Sequence, residues 1–249
     1  MQVYVWLLLP MALLLPPGAW SGEIIGGRDA GCPFGPYMAF LKIQHGKNIS
    51  RCGGFLVSED FVLTATHCNG DKITVSLGAH NLKSKREQRR QVIPVRLRIP
   101  HPRHNKKTRN NDIMLLQLEK KVELNRCVSP IRLPPAHQRV HPGAKCSVAG
   151  WGRTSPRFKL FADKLQKADV VVMPDATCTY ENYNSSTMLC AGDPDEGKNP
   201  FEGDSGGPLV CRRMAQGIVS YGSADGTPPA VYTRVSIFIP WIEKMMKKL

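Results

Sequence analysis

Beyond Leu15 the 249-residue sequence has no apolar run long enough to cross a bilayer. None of its eight cysteines is spaced as CxxC, and after residue 23 there is no low-complexity linker, fixed-period repeat or heptad. The first absence excludes a membrane-spanning helix in the body of the chain. The second argues against paired-thiolate zinc sites, so no metal is expected. The third leaves no seam between modules and no coiled coil. Acidic residues are also scarce, with 20 Asp and Glu against 34 Lys and Arg, a formal net charge of +14. A chain this cationic attracts polyanions. The excess is clustered in Lys83-Ser84-Lys85-Arg86-Glu87-Gln88-Arg89-Arg90, in Lys106-Lys107-Thr108-Arg109 and at Lys244, Lys247 and Lys248. Such runs fit contact with sulfated proteoglycan or heparin, anionic membrane or extracellular nucleic acid, and they equally fit a solvated basic surface.

Val3 to Leu15 is almost wholly apolar, broken by Pro10, and is followed by Ala19-Trp20-Ser21. A short apolar core ahead of a small-x-small site reads as a signal peptide over residues 1–21, which places the chain in the secretory route. In that oxidising compartment eight cysteines read as four disulfides. Asn48-Ile49-Ser50 and Asn184-Ser185-Ser186 are then glycosylation sequons, occupied or not.

Short β-type runs punctuated by Gly and Pro dominate the rest: Gly53 to Val57, Phe61 to Ala65, Lys72 to Leu77, Ile113 to Leu118, Cys146 to Ala149, Val170 to Met173, Pro208 to Cys211, Gln216 to Tyr221 and Ala230 to Val235. This pattern predicts an all-β sandwich or barrel. One helix is expected at the C-terminus, capped by Ser236, with Pro240 in its first turn and Phe238, Trp241, Ile242, Met245 and Met246 on one face.

The sharpest local signal is Gly203-Asp204-Ser205-Gly206-Gly207-Pro208. Glycines expose the serine on a tight turn and leave backbone N–H groups unhindered beside it. A serine hydroxyl attacks a carbonyl at neutral pH only when a base takes its proton and fixed donors hold the oxyanion. The N–H groups of Gly203 and Ser205 are the candidate donors. A base candidate, His67, ends the β-run Leu63-Thr64-Ala65-Thr66 next to Cys68, whereas His45, His80, His101, His104, His137 and His141 lie in loop-like contexts. Asp112, in Asn110-Asn111-Asp112-Ile113-Met114-Leu115-Leu116, stands at the mouth of an apolar strand, where a part-buried carboxylate fixes an imidazole tautomer. Taken singly, each of the three has an ordinary structural reading; together they describe acyl transfer.

Ile24-Ile25-Gly26-Gly27, Thr64-Ala65-Thr66-His67-Cys68, Asn111 to Leu116, Gly150-Trp151-Gly152 and Gly203 to Pro208 follow one another as in chymotrypsin-like serine proteases. From Ile24 onward the chain most resembles their granzyme, cathepsin G and mast-cell chymase branch. The resemblance implies two six-stranded antiparallel β-barrels with a C-terminal α-helix, one protease domain over residues 24–249, and a catalytic triad of His67, Asp112 and Ser205 without cofactor. It implies an activation dipeptide, Gly22-Glu23, removed by a dipeptidyl peptidase so that the new amine of Ile24 pairs with Asp204. It also implies storage in secretory granules, a monomeric state, susceptibility to serpin-type inhibitors, and bridges Cys52–Cys68, Cys146–Cys211 and Cys178–Cys190. Cys32 and Cys127 remain and are expected to pair by elimination. Thr66 departs from the Ala usual at its position, and Phe201 stands where many relatives have a half-cystine.

For specificity, the resemblance assigns Asn199 to the floor of the substrate pocket and Ala230 to its wall, with Gly222 at the entrance and Glu202 at the rim. The carboxylate that selects Lys or Arg is absent, as are the Arg and the acid carried on the wall by Asp-cleaving granzymes and by cathepsin G. A neutral pocket preferring Phe, Tyr, Leu or Met follows, unless the Asn199 amide favours a polar residue. Ser220-Tyr221-Gly222 is the edge to which substrate adds as a strand, and Glu202 is expected to favour basic residues nearby. The competing reading is a cationic granule protein that binds heparin or microbes and whose proteolysis is secondary.

Overall fold

Met38, Ala39, Leu41 and Ile43 are buried along one short run while Lys42 and Gln44, on either side of Ile43, face solvent, the two-residue period of a sheet with one side in a core. Such runs make up most of the computed structural model, which describes residues 28–29 (backbone only), 35–84, 87, 89–155, 157, 160–193 and 195–249. The expected signal peptide, activation dipeptide, Ile24 and Cys32 lie outside the described residues.

In chain order the strands are β1 (Arg28–Asp29), β2 (Met38–His45), β3 (Asn48–Leu56), β4 (Phe61–Thr64), β5 (Lys72–Leu77), β6 (Gln91–Pro100), β7 (Met114–Leu118), β8 (Lys145–Gly150), β9 (Gln166–Val172), β10 (Met188–Gly192), β11 (Pro208–Cys211), β12 (Met214–Tyr221) and β13 (Ala230–Arg234). Pairing β2-β3-β4-β7-β6-β5 closes a first antiparallel barrel, since β2 bonds both β3 and β5. A second closes as β8-β9-β10-β13-β12-β11, with β1 added to β9. This is the two-barrel architecture the resemblance implies.

Leu41, Phe55, Leu63, Val75 and Leu115 fill the first barrel, and that core runs on to Ile218, Val235, Phe238 and Ile242 of the C-terminal half. Val148, Val170, Leu189, Leu209 and Tyr232 fill the second. The continuity of the larger cluster fixes one barrel against the other, which a cleft site between them requires.

Four strands escape the sequence reading, the two-residue β1 among them. β6 contains Pro94 and Pro100, residues that argue against a strand, and β2 and β10 were passed over although both are strongly apolar. The C-terminal helix α1 (Ile239–Lys248) has Pro240 in its first turn as expected, but Phe238, not Ser236, is its N-cap residue. The reason is local: Val235–Phe238 winds into a 3-10 turn that drives Val235 and Phe238 into the core, leaving Ser236 fully buried one turn before the helix. His45 ends β2, and His101, though in a loop, is buried edge-on against Phe238 and Trp241.

Bridges join Cys52 to Cys68, Cys146 to Cys211 and Cys178 to Cys190. Cys127 is disulfide-bonded, and its expected partner Cys32 falls outside the described residues.

Candidate active site

β4 ends at Thr64, and a single 3-10 turn over Thr66–Cys68 carries His67 out of the first barrel. Two links hold that turn. The Cys52–Cys68 bridge ties it to β3, and the Thr66 hydroxyl donates to the Ile113 carbonyl at 2.6 Å. The departure from Ala at position 66 therefore adds a bond between the His67 turn and the segment bearing Asp112.

Asp112 has no solvent exposure. Its Oδ1 accepts the His67 backbone N–H at 3.0 Å, and its Oδ2 lies 2.7 Å from His67 Nδ1 and accepts the Ser220 hydroxyl at 2.6 Å. From the second barrel, the Thr233 hydroxyl donates to the Asp112 carbonyl at 2.9 Å. Burial alone pushes the carboxyl up, but the hydrogen bonds and charge of His67 and the Ser220 hydroxyl outweigh it and hold Asp112 below the usual carboxylate range. An ionised acceptor against Nδ1 keeps the proton there and leaves Nε2 as the basic nitrogen.

The second barrel supplies Ser205, half-buried on the loop before β11. Its carbonyl accepts the Gly53 N–H at 2.8 Å, which brings the loop onto β3, beside the bridge that anchors the His67 turn. Gly206 follows with φ +82°, and a Cβ there would overlap the Thr64 hydroxyl and the Gly53 carbonyl, so this join of the barrels requires glycine. The N–H groups of Asp204, Gly206 and Gly207 bond the carbonyls of Phe201, Val219 and Asp204. Among the described residues no acceptor is bonded to the N–H of Gly203 or of Ser205, the two candidate oxyanion donors.

Asp204 is buried to 1 % exposure and turned away from Ser205. Its carboxylate accepts the N–H groups of Gly152 at 2.8 Å and Phe201 at 3.0 Å. Side chains at Gly150 or Gly152 would collide with it, which gives Gly150-Trp151-Gly152 its physical meaning. Burial raises the Asp204 carboxyl to about 6 despite those two bonds. No cation faces it among the described residues.

A cavity of about 360 Å³ opens at Ser205, lined among others by Tyr221, Gly222 and Ala230, with Glu202 at its exposed side. A Cβ on Gly222 would sit 3.5 Å from Ala230 Cβ and 3.8 Å from Asn199 Nδ2, so Asn199 lies close behind Gly222 and Ala230, although it is not itself on the cavity's lining. Asn199 is 1 % exposed, and its amide donates to the Gly226 and Thr227 carbonyls at 3.3 and 3.5 Å. The structure adds to the sequence expectations at two residues here. Ser220, expected only to offer its backbone to substrate, also directs its hydroxyl to Asp112. Glu202 is paired with Arg153 at 2.7 Å, which offsets the charge expected to attract basic residues. Beyond Val219 the β11 side of β12 has no ladder partner among the described residues, so the edge at Ser220 to Gly222 is open there.

Asn48 and Asn184 are exposed, and Asn184 Nδ2 donates to Asn110 Oδ1 at 3.1 Å. Cys52, His67 and Cys68 lie within metal-ligand distance of one another, but both sulfurs are in the disulfide and offer no thiolate. Sequence reasoning missed the roles of Thr66, Ser220 and Thr233, because nothing near them in the chain marks them as partners of residues 47 to 121 positions away.

The trypsin family model matches residues 24–242. Human granzyme B is 52% identical over 97% of this chain and 98% of its own length, and human cathepsin G is 51% identical over 97% and 94%. A solved structure described as that of GrC superposes with a TM-score of 0.85 at 46% identity, covering 90% of this chain and all of its own. The triad-like constellation thus occurs on the fold that relatives of this class share, and the chain belongs to the trypsin family of serine proteases, related to the granzymes and cathepsin G.

Proposed function

We propose that the chain, once its N-terminus is Ile24, is an endopeptidase that cuts after Phe, Tyr, Leu or Met by acylation of Ser205. His67 Nε2 takes the proton as Ser205 Oγ attacks the carbonyl, and the N–H groups of Gly203 and Ser205 hold the oxyanion. The proton then passes to the leaving amine, and water deacylates the enzyme by the same route. The observation that carries the preference is the cavity at Ser205, where Gly222 and Ala230 meet with the neutral Asn199 behind them and where the two charged lining groups, Arg153 and Glu202, are paired with each other at 2.7 Å.

Within this reading residues 1–21 are a signal peptide, Gly22-Glu23 is removed by a dipeptidyl peptidase, and Ile24 pairs with Asp204. Protein and peptide substrates follow from the family. The net charge of +14 supports storage in secretory granules on heparin-like proteoglycan. Serpin-type inhibitors and a monomeric state are carried over from the resemblance, and Asn48 and Asn184 are acceptors for glycan.

A peptide library varied at the residue before the scissile bond tests the preference, with Ser205→Ala as control. Cleavage after aromatic or large aliphatic residues, absent in the control, is the expected result. Cleavage confined to Lys, Arg or Asp would overturn the neutral pocket.

A further inference from the structure

A second depression, of about 750 Å³, opens beside His67 and shares no lining residue with the cavity at Ser205. Thr66 and His67 form one side, and Arg98, His104, Lys106 and Arg109 stand around it. The one acid on its lining, Asp71, carries one negative charge while accepting the Gly46 N–H at 2.7 Å, against the permanent cations Arg98, Lys106 and Arg109. The space next to the candidate base therefore carries a net positive charge.

Arg109 is the member best placed to contact a substrate. Its side chain is 36 % exposed on the lining of the depression, and no internal hydrogen bond ties down its one buried nitrogen, Nη1, among the described residues. The nearest carboxylate oxygen, Asp112 Oδ2, is 4.0 Å away and already holds His67 and Ser220 at 2.7 and 2.6 Å. The backbone presents this side chain in a conformation unfavourable for arginine, with φ +57° at Arg109. For non-glycine residues this persists only where the surroundings fix it. They do so here: Asn184 and Thr187 both donate to Asn110 Oδ1 at 3.1 Å, and Asn111 Nδ2 donates to the Arg103 carbonyl at 2.7 Å.

A substrate strand added to the open edge at Ser220 to Gly222 turns successive side chains to opposite faces. With the residue before the scissile bond in the Ser205 cavity, the one preceding it points toward His67 and the cationic depression. We infer that Arg109 selects substrates with Asp or Glu as the second residue before the scissile bond. This rests on the proposed acylation of Ser205, and it adds a substrate class: acidic sequences ending in an uncharged primary residue. Glu202 on the opposite rim does not counter the selection, because Arg153 pairs with it.

The test uses the Ile24-initiated protein and peptides that differ only at this second residue, as Asp, Ala or Lys, behind whichever primary residue the library identifies. The expected kcat/KM for Asp exceeds that for Lys by about tenfold, and the ratio shrinks as ionic strength rises. Arg109→Asn, chosen because Asn tolerates a left-handed backbone, brings the ratio close to one. Arg109→Glu inverts it. A wild-type ratio near one, or a preference for Lys, overturns the inference without need of any variant. So does an unchanged ratio in Arg109→Asn, since an arginine that merely steadied Asp112 would slow all peptides alike. A different primary residue would correct the pocket reading and leave the ratio interpretable. Cleavage of no peptide at all would instead remove the Ser205 reading on which this one rests.

Discussion

Asp112→Asn lowers kcat/KM by about four orders of magnitude, the size this substitution shows in the triad of trypsin-type enzymes, while the folded structure persists. The carboxylate is acceptor-only, and both its oxygens are in use: Oδ1 by the His67 N–H, Oδ2 by His67 Nδ1–H and the Ser220 hydroxyl. An amide places two donors where only acceptors fit. If its NH₂ faces Nδ1, the ring must carry its proton on Nε2, and the nitrogen that should accept the Ser205 proton has no lone pair free. If it faces the backbone instead, the buried His67 N–H loses its acceptor at a cost of about 1–3 kcal/mol. The first arrangement keeps the fold and abolishes the base. Steady-state kinetics beside thermal unfolding separates the two effects. A loss below about a hundredfold in a well-folded variant would mean that Asp112 does not set the tautomer.

Asp204 gives the second large effect, on the difference between precursor and mature chain. Its folded pKa of about 6 lies above the ordinary 3.8, so ionisation works against this buried placement. The penalty is absent below about pH 4, develops as pH rises through 6, and is complete at neutral pH. Two units correspond to about 3 kcal/mol, or roughly a hundredfold in population. A buried carboxylate with no cation is thus a reason for the Ser205 loop to leave this arrangement, and an arriving ammonium is a reason to stay. In the precursor, Asp204→Asn should gain stability relative to wild type as pH rises from 4 to 7, read from urea unfolding at each pH. In the Ile24-initiated form the order reverses: wild type is the more stable, and Asp204→Asn loses activity by at least a hundredfold. Equal activity of the precursor and the Ile24-initiated form would contradict the proposed ion pair.

What the sequence displayed depended on whether the signal was local. Gly203 to Pro208 and the His67-Cys68 pair are contiguous, and the strands that carry them were legible from their apolar runs. Contacts that cross between barrels were not. Ser220 reads as part of a substrate-binding edge because it precedes Tyr221 and Gly222, and nothing local signals that its hydroxyl also reaches Asp112, 108 positions away. Glu202 read as a free rim charge until folding brought Arg153 to it. Thr66 looked like a departure to be tolerated and is a donor across to Ile113. Ser236 had the right chemistry for a cap, but the apolar demand of Val235 and Phe238 shifted the helix start by one turn. Arg109 sat within a run of charges, and only the folded loop shows that one of its nitrogens is buried next to the candidate base.

The claim that everything else rests on is that Ser205 is the activated nucleophile of the Ile24-initiated chain. A fluorophosphonate probe tests it directly, since an activated serine oxygen displaces fluoride from phosphorus and keeps the phosphonyl group. Intact-mass and peptide mapping should show one adduct, on Ser205, in the mature chain, and none in the Asp112→Asn variant over the same interval. A folded mature chain that takes no label, or takes it on another serine, would contradict the account.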